Sequence, residues 1–241
     1  MKAGAAAVGA AGGAETVDGF EIVRHPSARR LTLSLDPASG RARLVLPRRA
    51  ALKPAILWAK GKADWLAEQR ARLPQARPFV VGATIAVADE MLTIVRDEGR
   101  RRSVLRDGDR LLLAGPEETI GRRVEAWLRA RALDLLSVET AEFAAKAGVA
   151  VTQVAIGDPR RRWGSCAYSG AIRYSWRLLL APGWVRRATV AHEVAHRVHM
   201  NHGPDFHALV ADLLGEDPTP ARAWLRTHGA ALHWVGRSSE G

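Results

Sequence analysis

The stretch that decides this sequence is Ala191-His192-Glu193-Val194-Ala195-His196-Arg197-Val198-His199-Met200-Asn201-His202-Gly203-Pro204. Apolar Val190, Val194 and Val198 recur every four residues, which predicts a helix from about Trp184 to Asn201. Pro182 can begin it and Gly203-Pro204 breaks it. His192 and His196 lie one turn apart on a shared face, a bite suited to one metal ion. Glu193 is rotated by about 100° from His192, so it borders the site without joining the ligand set. A Zn2+ ion with three protein ligands keeps a fourth position for water and lowers its pKa to about 7. A carboxylate beside it takes the water's proton during attack and passes it to the leaving amine.

The third ligand is less constrained. His199 shares the face, but seven residues separate it from His192, about 10.5 Å of helical rise. His202 is favoured, because the chain can turn back at Gly203-Pro204. Glu216 is the rival, twenty residues past His196 and placed to lie on a following helix. His207 and His199 read better as surface or hydrogen-bonded side chains.

Working outward, Val151–Ile156 and Ile172–Trp176 read as strands on either side of an Arg-rich turn, Gly157 to Gly170. Asp205 can cap a short helix to Leu214, and Thr219-Pro220 starts a last one. Upstream, Phe20–Val23, Leu31–Leu35 and Ala42–Leu46 alternate as half-buried strands, the last two forming a hairpin around Asp36–Gly40. Leu52–Leu73 has helical spacing and stops at Pro74. Strands follow at Thr84–Ala88, Leu92–Val95, Ser103–Leu105 and Arg110–Leu113, with a turn at Asp107-Gly108. Gly115-Pro116-Glu117-Glu118 then opens a long helix towards Gly148. No internal repeat stands out. The composition shifts from strand-rich to helix-rich near residue 116.

The 241 residues are 47% hydrophobic and 25% charged, which excludes wholesale disorder. Lys+Arg is 36 against 25 for Asp+Glu, a formal charge of +11 that admits nucleic acid or anionic surfaces as partners. Only five of the basic residues are Lys, so general Arg richness accounts for much of the excess. Arg100–Arg102 and Arg160–Arg162 are the runs that could bind phosphate, or simply be solvated loop charge. Cys166 is the one cysteine, so no intrachain disulfide exists. No apolar run approaches the ~20 residues of a membrane span. Ala3–Ala14 is too weakly apolar for a signal peptide, so residues 1–18 read as a flexible tail and the protein as cytoplasmic.

Four segments together resemble a known family. They are Arg162-Trp163-Gly164-Ser165-Cys166, then Ile172-Arg173-Tyr174-Ser175-Trp176-Arg177-Leu178, the double-His helix, and Asn201-His202-Gly203-Pro204-Asp205-Phe206. The combination is similar to that of the YgjP-like (DUF45, SprT-like) zinc metallopeptidases. It covers about 150–235 well and Ala28–Leu73 moderately; 79–115 match poorly. The resemblance implies zinc at His192, His196 and His202, with Glu193 catalytic. Arg173, followed by Tyr174, departs from the Asn-x-Asn of many members, which bears on the cleft's polar lining and not on the metal. Metzincins share the His196-to-His202 spacing, but they carry Gly at the place of His199 and a downstream Met-turn, and no Met follows Met200.

Gly164 permits a tight backbone, and Arg162 or Ser165 could face substrate or orient Glu193. Trp163 and Cys166 read as structural, with Cys166 as an inhibitory metal ligand the lesser alternative. Tyr174 and His228 are candidates to stabilise a tetrahedral oxyanion. The expected architecture is α+β: a β-rich N-terminal region over 19–115, then a zincin-like metallopeptidase domain over 116–241 with an HExxH active-site helix. Its substrate is a peptide or protein. The competing readings are a basic DNA-associated protein with a structural zinc, and a peptidase acting on DNA-bound proteins. A structural site normally takes four protein ligands and has no need of Glu193.

Overall fold

Phe20, Ile22, Ala42, Leu44 and Leu46 are buried at alternate positions, so their segments pair as strands with one face turned inward. The computed structural model describes residues 15–97, 99 and 103–238. The chain forms two compact units, Met1–Leu73 and Pro74–Gly241. In the first, strands β1 (Glu15–Val17), β2 (Phe20–His25), β3 (Thr32–Leu35) and β4 (Ala42–Pro47) form a sheet in the order β1-β2-β4-β3. Only β2 and β4 run parallel. The expected hairpin is β3–β4, its turn held by Asp36, which accepts the Ala38 N–H at 3.0 Å and the Ser39 hydroxyl at 2.6 Å. Helices α1 (Leu52–Lys60) and α2 (Ala63–Ala71) add Ala55, Ile56, Ala59 and Leu66 to the core.

Two expectations change here. The single helix over Leu52–Leu73 is two, because Gly61 ends the first and Lys62 leaves helical geometry at φ −106°, ψ 25°. Of the expected tail, residues 1–14 lie outside the described residues, while Glu15–Val17 is an edge strand.

The second unit begins with β5 (Thr84–Val87), β6 (Glu90–Arg96), β7 (Leu105–Asp107) and β8 (Arg110–Leu113), in the order β5-β6-β8-β7 with β6 and β8 parallel. This repeats the first sheet. Both open on a two-residue turn with positive φ at each position, 51° and 81° at Asp18-Gly19, 50° and 70° at Ala88-Asp89. Both second strands carry Ile-Val-Arg, at Ile22–Arg24 and Ile94–Arg96. Each Arg donates to carbonyls beyond the fourth strand: Arg24 to Arg48 and Ala50, Arg96 to Gly115. An internal repeat is thus present where sequence reading saw none, because only three residues and a turn geometry carry it.

Glu117–Ala147 forms α3, ended by Gly148 in the left-handed region at φ 64°. Its stripe Ile120, Val124, Leu128, Ala132 and Leu136 shares one core with Ile85, Leu92, Ile94, Leu111 and Leu113. That shared core joins the strands over 84–113 and α3 within the one compact unit Pro74–Gly241. Strands β9 (Gln153–Gly157), β10 (Gly164–Cys166) and β11 (Ala171–Ser175) form a third sheet in the order β10-β11-β9. A buried 3-10 turn, Trp176–Leu180, leads into α4 (Gly183–Ala195), followed by α5 (Pro204–Leu214) and α6 (Thr219–Leu232).

Helix α4 is fixed from two sides. Asp89 in the β5–β6 turn accepts the Gly183 N–H at 2.7 Å, filling the capping role that Pro182 cannot. Arg186 donates Nε to Glu139 of α3 at 3.1 Å, with both side chains buried at 7% and 6% exposure. Burial, only partly offset by Arg186, pushes the Glu139 carboxyl above its ordinary value. Arg177 clamps the Arg-rich turn: it meets Asp158 at 2.8 and 3.1 Å and donates to the Leu232 and Val235 carbonyls.

Glu139→Ala leaves the Arg186 cation buried without its carboxylate, and the unfolding free energy should fall by about 3–5 kcal/mol. A denaturant midpoint unchanged from wild type would contradict this. Burial alone would raise the Asp158 carboxyl, but Arg177, with His233 and Arg129, outweighs it and holds the group below its ordinary value. A depressed folded pKa contributes stability above the unfolded value, about 4, and that stability is lost as pH falls further. Asp158→Asn should therefore flatten the stability curve below about pH 4 in acid titrations; a slope equal to wild type would show that the pair contributes nothing.

Candidate metal centre

The last turns of α4 bring His192 and Glu193 to the site, and His196 caps its C-terminus. The expected continuation to Asn201 does not form: the helix ends at Ala195, and 196–203 is a loop. Arg197 draws that loop aside, donating to the Ala150 carbonyl at 3.1 Å and the Tyr168 carbonyl at 3.2 Å. Asn201 accepts the Gly203 N–H at 3.3 Å, and Pro204 opens α5 at a position where its missing N–H costs nothing. The loop thereby returns His202 to the helix end.

The potential ligand atoms of His192, His196 and His202 all lie within 4.8 Å of one another. His196 Nδ1 is 3.0 Å from the His199 carbonyl, which can only accept, so Nδ1 carries the proton and Nε2 keeps its lone pair. The Nε2 atoms of His192 and His202 are 3.3 Å apart. Two nitrogens on a tetrahedral zinc with bonds of about 2.0–2.1 Å stand roughly 3.3–3.4 Å apart, so this pair has the spacing such an ion needs. Phe206 is fully buried among the three imidazoles, its ring centroid 4.8, 4.5 and 4.8 Å from theirs. Burial, aided by the neighbouring His196 and His202, pushes His192 down to about 4, which favours the neutral ring a metal requires. His196 is lowered for the same first reason.

Glu193 is buried beside these rings and outside the cluster. Burial pushes its carboxyl up to about 7, against the pull of the Arg162 charge. Its side chain lies on the α-carbon of Gly164. A Cβ there would stand 2.5 Å from both Glu193 Cγ and Oε1. The glycine is thus needed for space. Trp163 is anchored by α6, where a Cβ on Gly229 would fall 2.6 Å from its ring and His233 packs at 5.3 Å between centroids.

The other expected residues fall in different places. Arg162 lines a cavity of about 240 Å³ together with His192 and Glu193. Ser165 and Cys166 line a second cavity with Arg173, and Arg162 borders both. The ligand cluster among the described residues includes neither Cys166, Glu216, His199 nor His207. Tyr174 is fully buried and its hydroxyl meets Thr140 Oγ1 at 3.0 Å, so it faces the core and not an incoming carbonyl. His228 is exposed on α6 against Trp224 and does not line the cavity beside Glu193. Arg100–Arg102 lie outside the described residues. Sequence reading missed the central place of Phe206 and the whole apolar wall of the 240 Å³ cavity. The Phe206 signal was its spacing of four from His202, but one more aromatic on an apolar helix face does not announce such a role.

A family model described as YgjP-like, metallopeptidase domain, matches residues 29–228. The chain belongs to the YgjP-like family. The match runs through both compact units, and it spans residues 79–115, where the sequence motifs gave little resemblance. Membership makes this a metallopeptidase domain with a metal ion and a peptide or protein substrate, in a mixed α+β fold. Neither the curated proteins nor the solved structures gave a match. No helix among the described residues is long and apolar enough to cross a membrane.

Within this YgjP-like site, Gly164→Ala should leave metal stoichiometry intact while displacing the Glu193 carboxylate. Peptide hydrolysis should fall by about a hundredfold. An unchanged rate would show that Glu193 does not need its place against β10.

Proposed function

We propose that the domain hydrolyses peptide bonds with a zinc ion held by His192, His196 and His202 and with Glu193 as general base. One observation carries the reading: three imidazoles converge beside a buried carboxylate that is not among their ligand atoms. The ligand cluster among the described residues numbers three side chains, which favours an ion with an open position over a closed structural site. When bound, such an ion polarises the scissile carbonyl and acidifies water enough for attack near neutral pH.

The chain's own residues do the rest. Glu193 accepts the proton of the attacking water and delivers it to the departing amine. The His196 Nδ1–H bond to the His199 carbonyl keeps that ring from turning its protonated nitrogen inward. Strand β10 is the end strand of its sheet, so its outer backbone edge can receive an extended peptide beside Glu193. All these groups belong to 116–241, which we assign as the zincin-like catalytic part with α4 as its active-site helix.

Glu193→Gln tests the assignment because it keeps shape and removes the base. Zinc content by atomic absorption should remain near one per chain, while peptide hydrolysis falls by about 10²–10⁴-fold. Activity equal to wild type would refute Glu193 as the base.

A further inference from the structure

The cavity beside His192 and Glu193 has a composition that the hydrolytic step does not use. Its volume is about 240 Å³, and its walls include Ala188 and Thr189 of α4, Val210 of α5, and Ala221 and Leu225 of α6. The alanines are buried, so their small side chains are what leave the space open. An apolar cavity of about 150 Å³ already holds benzene, so this one has room for an aromatic side chain. Glu193 is the one carboxylate among the lining residues, whereas Arg162 and Arg222 both contribute guanidinium groups. A cationic side chain is therefore repelled. Both guanidinium groups are exposed; Arg222 meets the Thr219 hydroxyl at 3.5 Å and acts on the Asp217 charge, and Arg162 acts on Glu193. Two exposed cations beside an apolar cavity match a ligand that joins a large apolar group to a carboxylate.

We propose that this cavity is a substrate subsite for an aromatic side chain adjoining the scissile bond, with Arg222 and Arg162 holding a carboxylate of the same substrate. The assignment rests on the hydrolytic reading above and adds to it a class of substrate. The carboxylate is either the chain's own C-terminus or a neighbouring acidic side chain. The two sources share one chemistry and differ in their response to amidation.

Calorimetry on the zinc-loaded Glu193→Gln protein separates binding from turnover. The probes are alanine tetrapeptides carrying a single Phe, Gly or Lys, each as free acid and as C-terminal amide, and an amidated Phe peptide with a neighbouring Asp. The Phe free acid should bind at least about tenfold tighter than the Gly or Lys peptides. Amidation should cost about tenfold if the terminus is the anchor. If a side chain is, amidation should cost nothing and the added Asp should tighten binding about tenfold; the absence of both effects overturns the carboxylate assignment. Ala221→Phe, or the milder Ala221→Leu, should shrink the Phe advantage, and Arg222→Ala should shrink the carboxylate advantage alone. Equal affinity for Phe, Gly and Lys peptides overturns the subsite, as does a filled cavity that leaves the preference unchanged. Turnover by wild type on the same peptides is read separately. Selective binding without any hydrolysis overturns the hydrolytic reading and keeps the subsite; hydrolysis indifferent to the side chain does the reverse.

Discussion

Three imidazoles converge on one place at the end of α4, and nothing in a helix alone can make them do so. One comes from the last turn of α4 and one from its C-cap; the third is carried back by a loop. Phe206 is the fully buried body against which all three rest. Crowding such rings in a desolvated setting disfavours their protonation and holds His192 and His196 below the ordinary imidazole range. An arrangement that disfavours protons while retaining lone pairs is suited to a divalent cation.

The remainder of the second unit holds that arrangement still. Asp89 reaches from the second copy of the repeated sheet to the start of α4, and the Glu139–Arg186 pair ties the same helix to α3. Arg177 and Trp163 bind the Arg-rich turn to α6, which sets Gly164 under Glu193. Several arginines are thus committed inside the fold: Arg177, Arg186 and Arg197 bond to carboxylates or carbonyls of distant segments.

What could be read from the sequence followed from strong local signals. The spacing of His192 and His196 and the Gly203-Pro204 break made the convergence of the three histidines legible, because a helical turn and a chain reversal are local geometry. The Asp36 turn and the Gly148 helix end were legible for the same reason. The early end of α4 was not, because it depends on Arg197 finding carbonyls at Ala150 and Tyr168. Nor was the burial of Tyr174, whose partner Thr140 is 34 residues away. The repeated sheet escaped notice because pairing order is a property of space, and only the Ile-Val-Arg pair and the turns hint at it. Long-range contacts decide which polar side chains face a site, and periodicity does not report them.

The most direct test of the central claim is a crystal structure grown with zinc, with anomalous data collected on both sides of the zinc edge. It should show one ion bonded to nitrogens of His192, His196 and His202, with solvent in the remaining position and the Glu193 carboxylate within hydrogen-bonding reach of that solvent. An ion enclosed by four side chains, or a crystal with no anomalous peak among these imidazoles, would contradict the account.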